Sequence, residues 1–323
     1  VLPVPHGSSL FTRGLTQAMN IVTLAPMSFA QVVDSMESND EVRRYMHHYN
    51  APSYTVGEIG RLGSPGRREI GHGYLAERAL IPVLPSVEDF PYAIRSVTEI
   101  MSQNGSTSMA ATCSSCLALM DAGVPLKRPV SGVAMGLMLS PDGTPNVLTD
   151  LMDAEDFAGD MDFKVTGTTE GITALQMDMK VHGLPVDILE KAIAQSHDGR
   201  MFILDHMLSV LPGPRDHIAE NAPQIEKINA ENLASGIKAV MGSDDIQVAE
   251  PQEIEGFTAY DIADAQGASL GKAVVTTSNG FGGPLKVLVG FDTEGNIKGY
   301  TVLEHAETPG LGAKAGEWFQ DKI

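Results

Sequence analysis

Between Leu211 and Asn229 the chain reads LPGPRDHIAENAPQIEKIN, and no other segment limits the possible folds as strongly. Pro212, Pro214 and Pro223 each remove a backbone donor and fix φ, so no helix or inner strand runs through it. The chemistry on its two sides also differs. All eleven arginines lie at or before Arg215, while residues 229–323 carry six basic residues, all lysine, against fourteen acidic ones. A length of 323 residues exceeds what one hydrophobic core usually organises. Two domains are therefore expected, 1–228 and 229–323.

The overall balance, 41 Asp+Glu against 22 Lys+Arg, gives a net charge of −19. Such a field repels polyanions, so any nucleic-acid site must be a local patch. Hydrophobic residues at 43% and charged ones at 20% exclude a disordered, collagen-like or coiled-coil chain. Two cysteines cannot staple a fold of this size, which excludes a secreted disulfide scaffold and points to a reducing compartment. No stretch of about 18 apolar residues and no basic-then-apolar leader is present, so a cytoplasmic chain without a membrane span is expected. The opening VLPVPHGSSLF begins at Val1 and reads as already inside a strand, as in a chain that starts mid-protein.

Periodicity gives mixed α and β structure in the first part. Ile21–Leu24 and Gly132–Leu139 read as buried strands; SSCLALMDAGV and DILEKAIAQSHDGRMFILDHMLSV read as helices with glycine stops. The second part is β-rich with a helix at its start. KAVVTTSNGFGG, LKVLVGF and KGYTVLEH read as strands, the last two joined by a turn at Thr293–Asn296. Met177 and Met179 read as core filler, and the Cys113–Cys116 pair as packing, because zinc needs about four ligands and no second pair exists.

Three segments carry candidate chemistry. In 61–73, RLGSPGRREIGHG, Arg61, Arg67, Arg68 and His72 sit among four glycines, a pattern suited to phosphate and equally to a solvated surface turn. In 104–109, Asn104 and Gly105 precede Ser106, Thr107 and Ser108 ahead of a helical run. Hydroxyls and free N–H groups at a helix start suit an anion, although an ordinary N-cap accounts for them too. In 153–164, DAEDFAGDMDFK, an extended end places Asp160, Asp162 and Lys164 on one face against Met161 and Phe163. Carboxylates converging beside an ammonium suit Mg²⁺ or Mn²⁺; a solvated acidic loop leading into a half-buried strand is the plain alternative.

The strings HGSSLFTRG, HHYNAPSYTVGEIGRLGSPGRREIGHG, SQNGSTSMA, LALMDAGVPLK and GDMDFKVTGTTEGITALQMDMK resemble, in order, the second RNase PH-like core of the polynucleotide phosphorylase family. The resemblance runs from Val1 to about Pro223. It implies an α+β fold of RNase PH type (ribosomal S5 domain 2-like), and a metal-dependent enzyme that degrades RNA from the 3′ end by phosphorolysis, releasing nucleoside diphosphates. It further implies single-stranded RNA and inorganic phosphate as partners, and a ring-like homo-oligomer. By position, Ser106, Thr107 and Ser108 fall on the phosphate loop, Arg67 and Arg68 on the arginine pair, and Asp156, Asp162 and Lys164 on the metal and acid/base cluster. Asp156 and Asp162 would hold the metal, with His72 and Asn104 close by. His47 and His48 fall on a segment that is structural in that family. The family usually has serine at Thr107. APQIEKIN resembles the start of a KH domain, but no GxxG clamp follows, so weak RNA capture is expected.

From Ala230 onward, GKAVVTTSNGFGGPLKVLVGFDTEGNIKGYTVLEHAETPGLGAKAGEWF resembles the FMN-binding domain found in the Rnf electron-transport complex and in the sodium-translocating NADH:quinone reductase. The resemblance implies an FMN site that includes Gly280, Phe281, Gly282 and Gly283, together with Glu307, Thr308, Pro309, Gly310, Leu311 and Gly312. The family's S-G-A-T attachment motif is absent before Ile323, so any FMN is expected to be held non-covalently. Both domains are expected to be incomplete relative to their families. The alternatives to RNA phosphorolysis are a flavin-binding electron-transfer module, or a fusion of two gene fragments with neither activity.

Overall fold

The computed structural model describes residues 2–33, 41–60, 63–225, 230–254, 257–279 and 284–305. The chain divides into two compact units, Val1–Ala222 and Pro223–Ile323, with the division a little before the expected Ile228. Both are built from sheets and helices, which makes the class α+β.

The first unit runs β1 (Gly7–Arg13), β2 (Thr16–Pro26), β3 (Gln31–Val33), β4 (Glu41–Arg43), β5 (Tyr45–Asn50), α1 (Arg67–Leu80), β6 (Tyr92–Ser102) and α2 (Thr107–Asp121). It continues with β7 (Ser131–Leu139), β8 (Pro145–Thr149), α3 (Asp153–Ala158), β9 (Met161–Gly167), β10 (Ile172–Met179) and α4 (Val186–Val210). Two four-stranded sheets result, ordered β1-β2-β6-β5 and β10-β9-β7-β8, and β3 pairs with β4 in a small hairpin. Only β5 and β6 run parallel among these pairs. The first strand starts at Gly7, so the opening Leu2–His6 is not strand, contrary to the sequence reading; Pro3 and Pro5 cannot donate to a ladder there.

Helix α2 packs against strands of both sheets, which explains its composition. Nearly every residue from Thr107 to Met120 is buried, and Ala, Ser, Thr and Cys predominate because a helix enclosed on all sides has room only for small side chains. Cys113 and Cys116 are free and buried there, and burial pushes both thiols up to about 12. On the other face of the second sheet lies α4. Met161, Phe163 and Val165 of β9 and Val133, Met135 and Leu137 of β7 meet Ile188 and Ala192 in one cluster. Gly199 lies inside α4 and does not stop it. A Cβ there would lie 3.0 Å from a methyl carbon of Thr149, so the glycine marks a close approach to the sheet. The helix ends at Val210, immediately before Leu211-Pro212.

The second unit has α5 (Ala230–Met241), β11 (Ile246–Val248), β12 (Gln252–Ile254), β13 (Phe257–Asp264), β14 (Ser269–Asn279), β15 (Pro284–Phe291) and β16 (Ile297–His305). Its antiparallel sheet, ordered β11-β13-β14-β15-β16 with β12 also on β13, packs Ile262, Ala273, Val275 and Leu288 against Ile237, Val240 and Met241 of α5. The β15–β16 turn is closed by the Asp292 and Gly295 amides donating to Asn296 and Asp292 carbonyls. In the first unit, Met177 and Met179, read as core filler, are instead 37% and 43% exposed on the edge strand β10.

Candidate active site

A cleft of about 710 Å³ opens where α1, the loop before α2, α3, β9 and β10 converge. From α1 come Arg68 and His72, one turn apart and so on one face; Asn104 comes from the loop. Asp153, Asp156 and Phe157 come from α3, Asp162 and Lys164 from β9, and Asp178 and Lys180 from β10. Strand alternation places Asp162 and Lys164 on the cleft side while their neighbours Met161, Phe163 and Val165 fill the core behind.

The Lys164 ammonium lies 3.0 Å from the Asp162 carboxylate, and both side chains are largely buried. Asp156 titrates above its ordinary value, first because it is partly buried and then because Asp162 repels its charge. Lys180 donates to the Asp156 and Phe157 carbonyls at 2.7 and 3.2 Å, capping the C-terminal end of α3. Asp178 sits directly across from Asp162 in the β9–β10 register. Like charges placed opposite one another repel, and Lys164 and Lys180 on the same wall offset that repulsion.

His72 is pulled down to about 4, mainly by burial and then by the positive charges of Lys164 and Arg68, so its imidazole is neutral near pH 7. Its Nδ1 lies 3.3 Å from both the Tyr49 hydroxyl and Thr107 Oγ1. Tyr49 OH donates to Thr107 Oγ1 at 2.8 Å, and its ring meets that of His72 edge to face. Burial raises the Tyr49 phenol to about 12, which keeps it a donor.

Ser106 precedes α2 in the left-handed region at φ 53°, after Gly105 at φ 80°. A Cβ on Gly105 would come within 2.6 Å of the Asp153 amide nitrogen, so the loop packs directly on the start of α3. Ser106 Oγ donates to the Leu151 carbonyl. Ser108 Oγ is buried with no partner among the described residues.

Not every expected site residue lines the cleft. Arg68, His72, Asn104, Asp156, Asp162 and Lys164 do, whereas Arg67 is exposed outside it. Thr107 and Ser108 lie buried, Thr107 within reach of His72, and Ser106 lines a separate apolar cavity beside α4. The convergence of several carboxylates is narrower than the sequence suggested. Asp160 accepts from the Leu139 amide and Glu155 from the Met152 amide, so both carboxylates serve backbone donors. No group of three His, Cys, Asp or Glu that could hold a metal exists among the described residues. Two carboxylates nonetheless fit a hard cation that keeps its other positions for water and phosphate. Tyr49, Asp178 and Lys180 escaped the sequence reading. The repeat of Met-Asp-x-Lys at 161–164 and 177–180 was the available signal for the last two.

Gly282, Gly283, Glu307, Thr308, Pro309, Gly310, Leu311 and Gly312, with Gly280, Phe281 and Arg61, lie outside the described residues.

The first unit thus sets two four-stranded sheets around a buried helix, whose start adjoins a cleft of mixed cationic and acidic groups. Residues 1–125 match the family described as "3′ exoribonuclease family, domain 1", and residues 280–323 match the FMN-binding domain. The first part is homologous to proteins named polyribonucleotide nucleotidyltransferase. That of Synechococcus sp. strain JA-3-3Ab is 57% identical over 72% of this chain and 33% of its own length; that of Streptococcus mutans is 56% identical over 75% and 32%. The chain thus spans about a third of the length of these relatives. A solved structure, rice (Oryza sativa) Rrp46, aligns with 65% of this chain and 90% of its own at 17% identity and a TM-score of 0.49. Among the described residues no helix is long and apolar enough to cross a membrane.

Proposed function

We propose that the first unit degrades single-stranded RNA from its 3′ end by phosphorolysis. Inorganic phosphate attacks the terminal phosphodiester, the bond from phosphorus to the upstream 3′ oxygen breaks, and that oxygen leaves with a proton as a nucleoside diphosphate is released. The observation that carries this reading is the convergence of Arg68, His72, Asp156, Asp162 and Lys164 on one cleft, in a unit 57% identical to a polyribonucleotide nucleotidyltransferase.

Guanidinium forks match phosphate oxygens, so Arg68, which lines the cleft, holds the attacking phosphate. The unspent hydroxyl of Ser108, with Ser106 and Thr107 at the α2 N-terminus, supports an anion seat there. Neutral His72 donates a hydrogen bond without adding charge, and the exposed Phe157 ring on the cleft rim offers a face for a base. Lys164 stands beside Asp162, where it can hold the proton that the leaving oxygen needs. Asp156 and Asp162 would hold Mg²⁺ or Mn²⁺, which supplies neutralisation of the scissile phosphate when bound. A ring of several copies and a cytoplasmic setting complete the proposal, the latter supported by two free cysteines.

Incubating the full chain with 3′-terminal single-stranded RNA, phosphate and Mg²⁺ tests this. Nucleoside diphosphates appearing only with phosphate support it; none at saturating phosphate and metal overturns it.

The match of residues 280–323 to the FMN-binding domain favours a second activity for the other unit, FMN binding. Quenching of FMN fluorescence on adding the chain supports it, and an unchanged spectrum removes it.

A further inference from the structure

Two residues other than glycine adopt the left-handed backbone region among the described residues, Ser106 at φ 53° and Asp150 at φ 63°. They belong to different loops, one leading into α2 and one into α3. Side chains with a Cβ avoid this region, so each conformation persists only where its surroundings hold it. Both loops meet one guanidinium. Arg13, at the end of β1, has its side chain 20% exposed; its Nε donates to Asp150 Oδ2 at 2.7 Å. Its Nη2 donates to the Asp150 and Leu151 carbonyls at 2.6 and 2.7 Å, and Nη1 reaches the Asn104 carbonyl at 3.3 Å.

The residue paired with Arg13 across the same hairpin turn, Thr16, grips the first loop again. Thr16 Oγ1 accepts from the Asn104 amide and donates to the Gly105 carbonyl, at 2.9 and 2.8 Å. The Leu151 carbonyl is shared by Arg13 and by the Ser106 hydroxyl. No carboxylate or arginine of the cleft takes part, and the cleft lining does not include Arg13.

We propose that Arg13 is a positioning residue for the phosphorolytic cleft: its guanidinium ties the Asn104–Ser106 loop to Asp150–Leu151 and so fixes the spacing between the start of α2 and the carboxylates of α3. This rests on the reaction proposed above. A planar fork with donors on three nitrogens can hold two loops at once, which a point-like ammonium cannot. Each half of the cleft can still bind its own ligand when the spacing is wrong, so the error falls on turnover.

The test compares the wild-type chain with Arg13→Met and Arg13→Lys by amide hydrogen exchange and phosphorolysis kinetics. In Arg13→Met, exchange in 104–108 and 151–158 rises together by about tenfold or more, with α1 and β9 unchanged. Turnover drops about 100-fold while KM for phosphate stays within about threefold. Arg13→Lys recovers protection in only one of the two segments and little turnover. Unchanged protection in both segments overturns the proposal, as does exchange rising evenly through the unit, the mark of a general stability role. Full recovery by lysine overturns it as well. Should the wild-type chain release no nucleoside diphosphate, the assigned reaction fails and the exchange pattern alone decides for or against Arg13.

Discussion

The Asp162–Lys164 pair offers the most direct perturbation of the cleft. Replacing Asp162 by asparagine keeps the shape but removes the charge facing an ammonium whose side chain is only 13% exposed. Breaking a buried pair from one side costs about 3–5 kcal/mol, because the remaining charge has lost its compensation. Asparagine keeps a carbonyl acceptor for Lys164, which moves the cost to the low end of that range. Two repulsions are relieved at the same time, from Asp178 across the strand and from Asp156, and cross-strand like charges contribute about 0.2–1 kcal/mol. The net loss is about 1–2.5 kcal/mol, or about 2–10 °C in Tm for a unit of this size. Because Asp162 is one cause of the raised Asp156 titration, Asp156 moves back toward the ordinary carboxylate range in Asp162→Asn. Calorimetry and carboxyl NMR read these two effects without reference to activity. Phosphorolysis falls by about 100-fold or more, as when a preorganised electrostatic group is removed. A Tm within about 1 °C of wild type with Asp156 unmoved refutes the buried pair; a lower Tm with turnover intact refutes the role of Asp162 in the reaction.

Acid should weaken the first unit through its buried histidines. His72 and His47 titrate near 4 and 3 against 6.5 in the unfolded chain, so the unfolded state binds more protons between those values. Their stabilising share is complete above pH 6.5 and is lost as pH falls toward 4; for His72 it amounts to about 3 kcal/mol, and Asp156, shifted upward, opposes it. Urea titrations at successive pH values should show the slope in that window reduced in His72→Gln by up to about 1.4 kcal/mol per pH unit. Tyr49→Phe removes the hydroxyl that serves Thr107 and His72, and should cost about 1 kcal/mol of stability while raising KM for phosphate by about tenfold or less. Gly105→Ala drives a Cβ to 2.6 Å from the Asp153 nitrogen at a positive φ, and should lower stability by about 2–3 kcal/mol in a denaturant melt.

Much of this was legible because it depends on local pattern. The alternation of MDFKV places Asp162 and Lys164 opposite Met161, Phe163 and Val165 whatever the rest of the chain does. The proline-rich segment after Val210 ends a helix on backbone grounds alone. What stayed hidden depends on where distant strands finish. Asp160 belongs to the same run as Asp162, yet its carboxylate is occupied by the Leu139 amide, contributed by the end of β7. Met177 and Met179 look like core because β10 has a buried strand's composition; being an edge strand leaves them exposed. Tyr49 reads as a structural residue in HHYN, and only the fold brings its hydroxyl to Thr107, 58 positions away.

Among the described residues the cleft gathers few metal ligands, and on the proposed reading this bears on how it would work. Asp156 and Asp162 supply two carboxylates, and Lys164 already takes part of the field of one. Mg²⁺ dehydrates reluctantly and commonly binds through one or two carboxylates plus substrate phosphates, so two protein ligands are enough only when a phosphate is present. The cationic side chains Arg68, Lys164 and Lys180 repel a bare cation and attract an anion, and the acidic ones do the reverse. Each ligand therefore offsets the repulsion met by the other, and by linkage the assistance must be equal in both directions. On the proposed reading, a complete three-ligand metal site would have weakened this coupling, because the cation would then bind without the phosphate. On that reading, the mixed charge of the cleft would make metal and phosphate depend on each other.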